Sequence, residues 1–167
     1  LVADVDLHID DSDSLATGGT VTTRGARGIH VDDNATVTLN TATNAVAGNV
    51  AIDTGATFSV TAATNVLGDV TVTGTLSGTG NLSVNGGDIS GNGSVNMTSG
   101  IFTLDGIGLF GGNTGWIFNE LKFGDGTGMA TTTSTGTGSV TSATTTVSVN
   151  QILDAGVSKT WNLTASH

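Results

Sequence analysis

Neither cysteine nor proline occurs among the 167 residues, and tyrosine is missing as well. Without cysteine the chain forms no disulfide, offers no thiolate nucleophile and holds no metal through sulfur. Without proline its turns rest on Gly, Asn and Asp, which accept the positive φ that a sharp bend demands; glycine alone supplies 26 residues. Basic charge is scarce too. Arg24, Arg27, Lys122 and Lys159 are scattered, against 14 acidic residues, for a net charge of −10. No basic groove can follow a phosphate backbone, so no nucleic acid partner is expected. Anionic membrane surfaces are disfavoured for the same reason. No stretch approaches the roughly 20 apolar residues of a spanning helix, so no membrane insertion is expected. Charged residues make up 11% of the chain, well under the usual value of about 25%.

What is present is a near-repeat. Residues 34–53 (NATVTLNTATNAVAGNVAID) are followed by TGATFSVTAATNVLGDVTVT at 54–73. Val37 recurs as Phe58, Leu39 as Val60, Asn44 as Thr64, Val50 as Val70 and Ile52 as Val72, at offsets of 20 or 21 residues. Each copy holds short alternating strands broken by small polar residues. One copy cannot bury its apolar face alone, whereas a stack can. The expected fold is therefore all-β, a right-handed parallel β-helix of about six to eight rungs. Val37 would stack on Phe58, Leu39 on Val60 and Val50 on Val70. The competing architecture is an antiparallel β-sandwich with Gly-rich hairpins.

Residues 1–9 alternate strictly, with Leu1, Ala3, Val5, Leu7 and Ile9 on one side, as in one half-buried strand about 30 Å long. This reading separates an N-terminal strand (1–15) from a single β-rich domain (16–167). Leu1, Ala3, Val5, Leu7 and Ile9 are then the candidate self-association face, inserting into a neighbouring subunit's sheet; the simpler reading is an ordinary first strand. The bulkiest segment is Trp116–Phe123. There the apolar parity shifts around Asn119-Glu120, as at a bulge or a corner. Trp116 and Phe118 are either core or an aromatic contact surface. Residues 126–146 are rich in Thr and Gly, either a long loop or weak edge strands of which Val140 alone faces inward.

Chemistry-bearing residues are sparse. His8, His30 and His167 are widely spaced, and no pair shows metal-ligand spacing. Asp32, Asp33, Asp53, Asp69, Asp88, Asp105, Asp125 and Asp154 sit in turn-like contexts, where an Asp most often caps its own turn. Glu120 is the sole Glu and has no evident carboxylate partner for glycoside hydrolysis. No catalytic residue is assigned, and no cofactor beyond calcium is implied. Asp10, Asp11 and Asp13, with Asp32 and Asp33, are the candidate calcium ligands, being hard oxygen donors; they match no EF-hand or nonapeptide array. Asn34, Asn81, Asn92, Asn96 and Asn162 each begin an Asn-x-Ser/Thr triplet, a glycosylation acceptor pattern that chance supplies readily here. The chain starts at Leu1 without an initiator Met or leader, as expected of a processed protein or a fragment.

The C-terminal portion resembles the module N-x-L-x-F-G…V-T…T-V-x-V…L-D-A-G-x-K-T-W-x-L-T of repetitive bacterial surface proteins. It does so at Asn119, Leu121, Phe123, Gly124, Val140, Thr141, Thr146, Val147, Val149, Leu153, Asp154, Ala155, Gly156, Lys159, Thr160, Trp161, Leu163 and Thr164. In rhythm and composition residues 20–164 resemble adhesin and autotransporter passengers and related extracellular filament proteins, although passengers usually run to many more rungs. The resemblance implies a secreted, cell-surface, mostly right-handed β-helical protein serving adhesion, shielding or assembly. The expected function is thus non-enzymatic and extracellular, structural or adhesive, with the protein itself as partner in a homo-oligomer or filament. A carbohydrate-binding module that engages surface glycans is the binding alternative, and a polysaccharide-degrading β-helix the enzymatic one.

Overall fold

The computed structural model describes residues 1–41 and 43–164. Every strand pairing in it is parallel, and the chain forms a right-handed solenoid of eight rungs among those residues. Three short strands make one rung. The first rung is Val2–Ala3, Leu7–Ile9 and Ser14–Thr17; the second Thr22–Thr23, Ile29–Val31 and Thr36–Leu39; the third Asn44–Val46, Val50–Ile52 and Thr57–Val60. The fourth is Thr64–Val66, Val70–Val72 and Thr75–Gly78, and the fifth opens with Leu82–Val84 and Ile89–Ser90. From there one corner straightens. Ser94–Leu104, Trp116–Phe123 and Val140–Val147 each close one rung and open the next, while Gly108–Gly111, Ala130–Ser134 and Gln151–Asp154 continue the second face and Trp161–Leu163 ends the last rung. The long strands fuse the first and third faces into one sheet of 13 strands, and the second face is a separate sheet of 8.

The register is the one the near-repeat implies. Val37 pairs with Phe58, Leu39 with Val60, Val50 with Val70, Ile52 with Val72 and Asn44 with Thr64. Branched and aromatic side chains suit this pleated surface, and period-2 alternation sends every second one inward. The result is one continuous apolar column from Ile9 to Val140. Parallel pairing excludes the antiparallel sandwich.

Three expectations are refined. Residues 1–9 are not one long strand but two, Val2–Ala3 and Leu7–Ile9, on different faces. The intervening corner keeps Ala3 and Ile9 buried while it turns Val5 outward (67% exposed). Alternation across a corner mimics alternation along a strand. Residues 1–15 are accordingly part of the solenoid: Val2 and Ala3 pair with Thr22 and Thr23, and Leu7–Ile9 with Ile29–Val31. Around Asn119-Glu120 the long strand turns from the third face to the first, with Trp116 and Phe118 inward before it and Leu121 and Phe123 inward after it. The Thr-rich stretch forms strands, with Thr132 and Ser142 buried alongside Val140.

Those small residues shape the C-terminal half of the core. They leave room on the seventh rung into which rings from its neighbours reach. Phe110 lies 5.5 Å from Trp116, 5.9 Å from Phe118, 5.2 Å from Phe123 and 5.8 Å from Trp161, centroid to centroid. Edge-on and offset pairs of this kind are favourable beyond their area.

At the corners the rungs are tied by side chains acting upward. Asp6 Oδ1 accepts the N–H of Gly28 (2.7 Å), Asn49 Oδ1 that of Asp69 (2.9 Å), Asp69 Oδ1 that of Asp88 (3.2 Å) and Asp88 Oδ1 that of Leu109 (2.6 Å). Asn81, Asn92 and Asn113 accept from Ile101, Asn113 and Thr137 in the same manner. Most of these acids and amides cap the next rung's turn rather than their own; Asp125 and Asp154 cap locally, through Thr127 and Gly156. Gly78 marks one of the close approaches between rungs. Its φ is +152°, and a Cβ there would collide with the Val60 carbonyl.

Candidate metal centre

The second face carries two rungs with the same local pattern, apolar-His-apolar-Asp: Leu7-His8-Ile9-Asp10 and Ile29-His30-Val31-Asp32. In each, the flanking apolar residues point inward and the histidine between them points out. Register pairs His8 with His30 directly. Their imidazoles stack with centroids 4.7 Å apart and planes 18° from parallel. Because Ile9, Val31 and Ile52 also stack, the acids that follow them, Asp10, Asp32 and Asp53, come together at the same corner.

The two columns interlock. His8 Nε2 lies 2.7 Å from Asp32 Oδ2, and its Nδ1 lies 3.4 Å from Asp10 Oδ1. His30 Nε2 is 3.2 Å from Asp32 Oδ1 and 3.0 Å from Asp53 Oδ2. Asp32 therefore bridges both rings, one oxygen to each. The hydrogen bond to Asp32 holds the His8 imidazole above its ordinary pKa of 6.5, and the same bond to His8 holds Asp32 below its ordinary 3.8. His8, His30 and Asp32 offer one donor atom each, all within 4.8 Å of one another. That is close enough to surround a single cation.

The acids proposed as calcium ligands divide. Asp10, Asp11, Asp32 and Asp33 line an open groove with Asn34 and Asp53. Asp13 is not on that lining; its main chain closes a turn with Asp10 and receives the N–H of Thr36. The groove also means that not every acid is a dispersed turn cap. The histidine pair is not apparent along the sequence because 22 residues separate its members, which is one rung of the solenoid. The doubled His-x-Asp inside the same apolar frame was the available signal.

Trp116 and Phe118 are 1% and 2% exposed. Their rings belong to the core, with Trp116 Nε1 donating to the Gly93 carbonyl (3.1 Å), so they form no aromatic contact surface. Of the candidate self-association residues, Leu1 and Val5 are exposed, Leu7 is half-buried, and Ala3 and Ile9 are buried. No helix long and apolar enough to cross a membrane occurs among the described residues.

No family model, curated protein or solved structure matches this chain. Its fold is a rigid parallel solenoid scaffold, an architecture compatible with bacterial surface proteins and not confined to them.

Proposed function

We propose that this protein is a non-enzymatic, extracellular structural element whose solenoids stack end to end into a filament. The observation that carries the reading is the state of the terminal rungs. Among the described residues Val2–Ala3, Leu7–Ile9 and Ser14–Thr17 each pair on one side only, as do Gln151–Asp154 and Trp161–Leu163 at the other end. Exposed apolar side chains accompany both edges: Leu1, Val2 and Val5 at one, Val149, Ile152 and Leu163 at the other. Unblocked parallel edges are templates for further strands, and proline and lysine, the usual guards, are absent or few. A longer polypeptide would meet these edges with its own rungs; in the 167-residue chain a second copy would. Contact of one end with the opposite end is heterologous and does not close, which yields filaments rather than dimers.

The non-enzymatic half is supported by how the acids are used, since Asp6, Asp69, Asp88, Asp125 and Asp154 accept main-chain N–H groups. The groove acids favour the polysaccharide-cleaving alternative more than any other feature does. Yet Asp32 is held below its ordinary pKa, opposite to what a general acid at a glycosidic bond requires. Placing guards on the exposed positions of the first rung, Val2→Lys with Val5→Lys, and measuring particle mass by sedimentation tests the assembly. Loss of large particles is expected, and unchanged assembly contradicts a role for this edge. Release of reducing ends from extracellular polysaccharides would contradict the non-enzymatic half.

A further inference from the structure

We propose that His8, His30, Asp32 and Asp53 form a binding site for a transition-metal cation of the zinc class, clipping the first three rungs together. The ligand set spans those rungs, with His8 on the first, His30 and Asp32 on the second and Asp53 on the third. For tetrahedral zinc with bonds of about 2.0–2.1 Å, neighbouring donor atoms lie about 3.3 Å apart. The pairs His30 Nε2–Asp32 Oδ1 (3.2 Å) and His30 Nε2–Asp53 Oδ2 (3.0 Å) are already near that edge length, and His8 Nε2–Asp32 Oδ2 (2.7 Å) is somewhat inside it; these contacts use both Asp32 oxygens, and Asp53 stands outside the set of three donors that lie within 4.8 Å of one another, so it must close on the ion as the fourth ligand. A cation would replace the imidazole N–H bonds to Asp32 and Asp53.

His8 has the outer partner that such a role needs. With Asp10 Oδ1 3.4 Å from Nδ1, the proton can reside on Nδ1 and leave the Nε2 lone pair for the metal, as in carboxylate–histidine–zinc arrangements. Two imidazoles select a zinc-, cobalt- or nickel-like ion over calcium, which takes six to eight oxygens. The cluster is half-exposed and its two acids, Asp32 and Asp53, line an open groove, so a cation can enter, and the protein's −10 charge favours its approach.

The test is a calorimetric titration of untagged, chelator-stripped 167-residue protein with Zn²⁺ alone, repeated with excess Ca²⁺. One Zn²⁺ per chain is expected, undisplaced by calcium, together with a rise of several degrees in the unfolding midpoint. His30→Ala and, separately, Asp53→Asn should each weaken binding at least tenfold, while Asp11→Asn leaves it unchanged. Co²⁺ should give the intense visible bands of a four-coordinate N/O site. Equal displacement by calcium, or stoichiometric binding that survives the double variant His8→Gln/His30→Gln, overturns the assignment. Circular dichroism in chelator establishes that each variant is folded, and Asp53→Asn reads the site without removing an imidazole.

Discussion

Replacing Phe110 with alanine probes the aromatic half of the core at its centre. The ring is fully buried and touches four others, from Trp116 on its own rung to Trp161 on the last. Truncating a buried Phe costs about 3–5 kcal/mol, combining lost transfer free energy with the cavity left behind. Thr132 and Ser142 are too small to fill that cavity, and the surrounding rings are fixed by parallel register. The upper part of the range is therefore expected. For a chain of this size each kcal/mol moves the midpoint by about 2–4 °C, so the loss should be about 8–20 °C. Because solenoid rungs contact only their neighbours, the damage should be local. Hydrogen exchange should show lost protection from Leu82–Val84 onward, with Ile29–Val31 and Val50–Ile52 retained. Ile107→Ala, at a 75% exposed position, should stay within about 0.5 kcal/mol. A Phe110→Ala cost below about 1 kcal/mol, or uniform loss of protection along the chain, would refute the packing argument.

Gly78→Ala should destabilise by at least about 2 kcal/mol in urea unfolding, from positive φ and a Cβ driven into the Val60 carbonyl; a neutral result would mean that the corner is looser than described. Asn44→Leu removes the acceptor of the buried Val21 N–H (2.9 Å) and should cost about 1–3 kcal/mol by the same assay, and Asn44→Asp should cost no less, because it buries a carboxylate and turns an oxygen toward the Thr41 carbonyl to which the amide N–H had donated. In chelator, the His8–Asp32 bond has a pH window. The raised His8 contributes fully below 6.5 and loses its contribution as pH rises through its folded pKa; the lowered Asp32 contributes fully above 3.8 and loses its contribution as pH falls through its folded pKa. The midpoint difference between wild type and Asp32→Asn should therefore be largest between those values and shrink at alkaline pH. A difference constant to pH 9 would contradict it.

The stack was legible in residues 34–73 because Val, Ile, Leu and Phe recur there at a constant offset and no loop interrupts them. Where the corner spacing changed, legibility failed. Residues 1–9 looked like one strand because the corner after Ala3 preserved parity, and the Thr-rich segment was ambiguous because Thr132 and Ser142 take inward positions usually held by Val. The metal cluster was hidden for a different reason. Its members are neighbours only across rungs, so spacing along the chain is uninformative until the period is applied to polar residues as well as apolar ones.

Electron microscopy of the untagged 167-residue protein at high concentration, with diffraction from aligned material, tests the proposed role most directly. Unbranched filaments one solenoid wide with an axial repeat of about 4.8 Å are expected. Uniform monomeric particles at every concentration would contradict it.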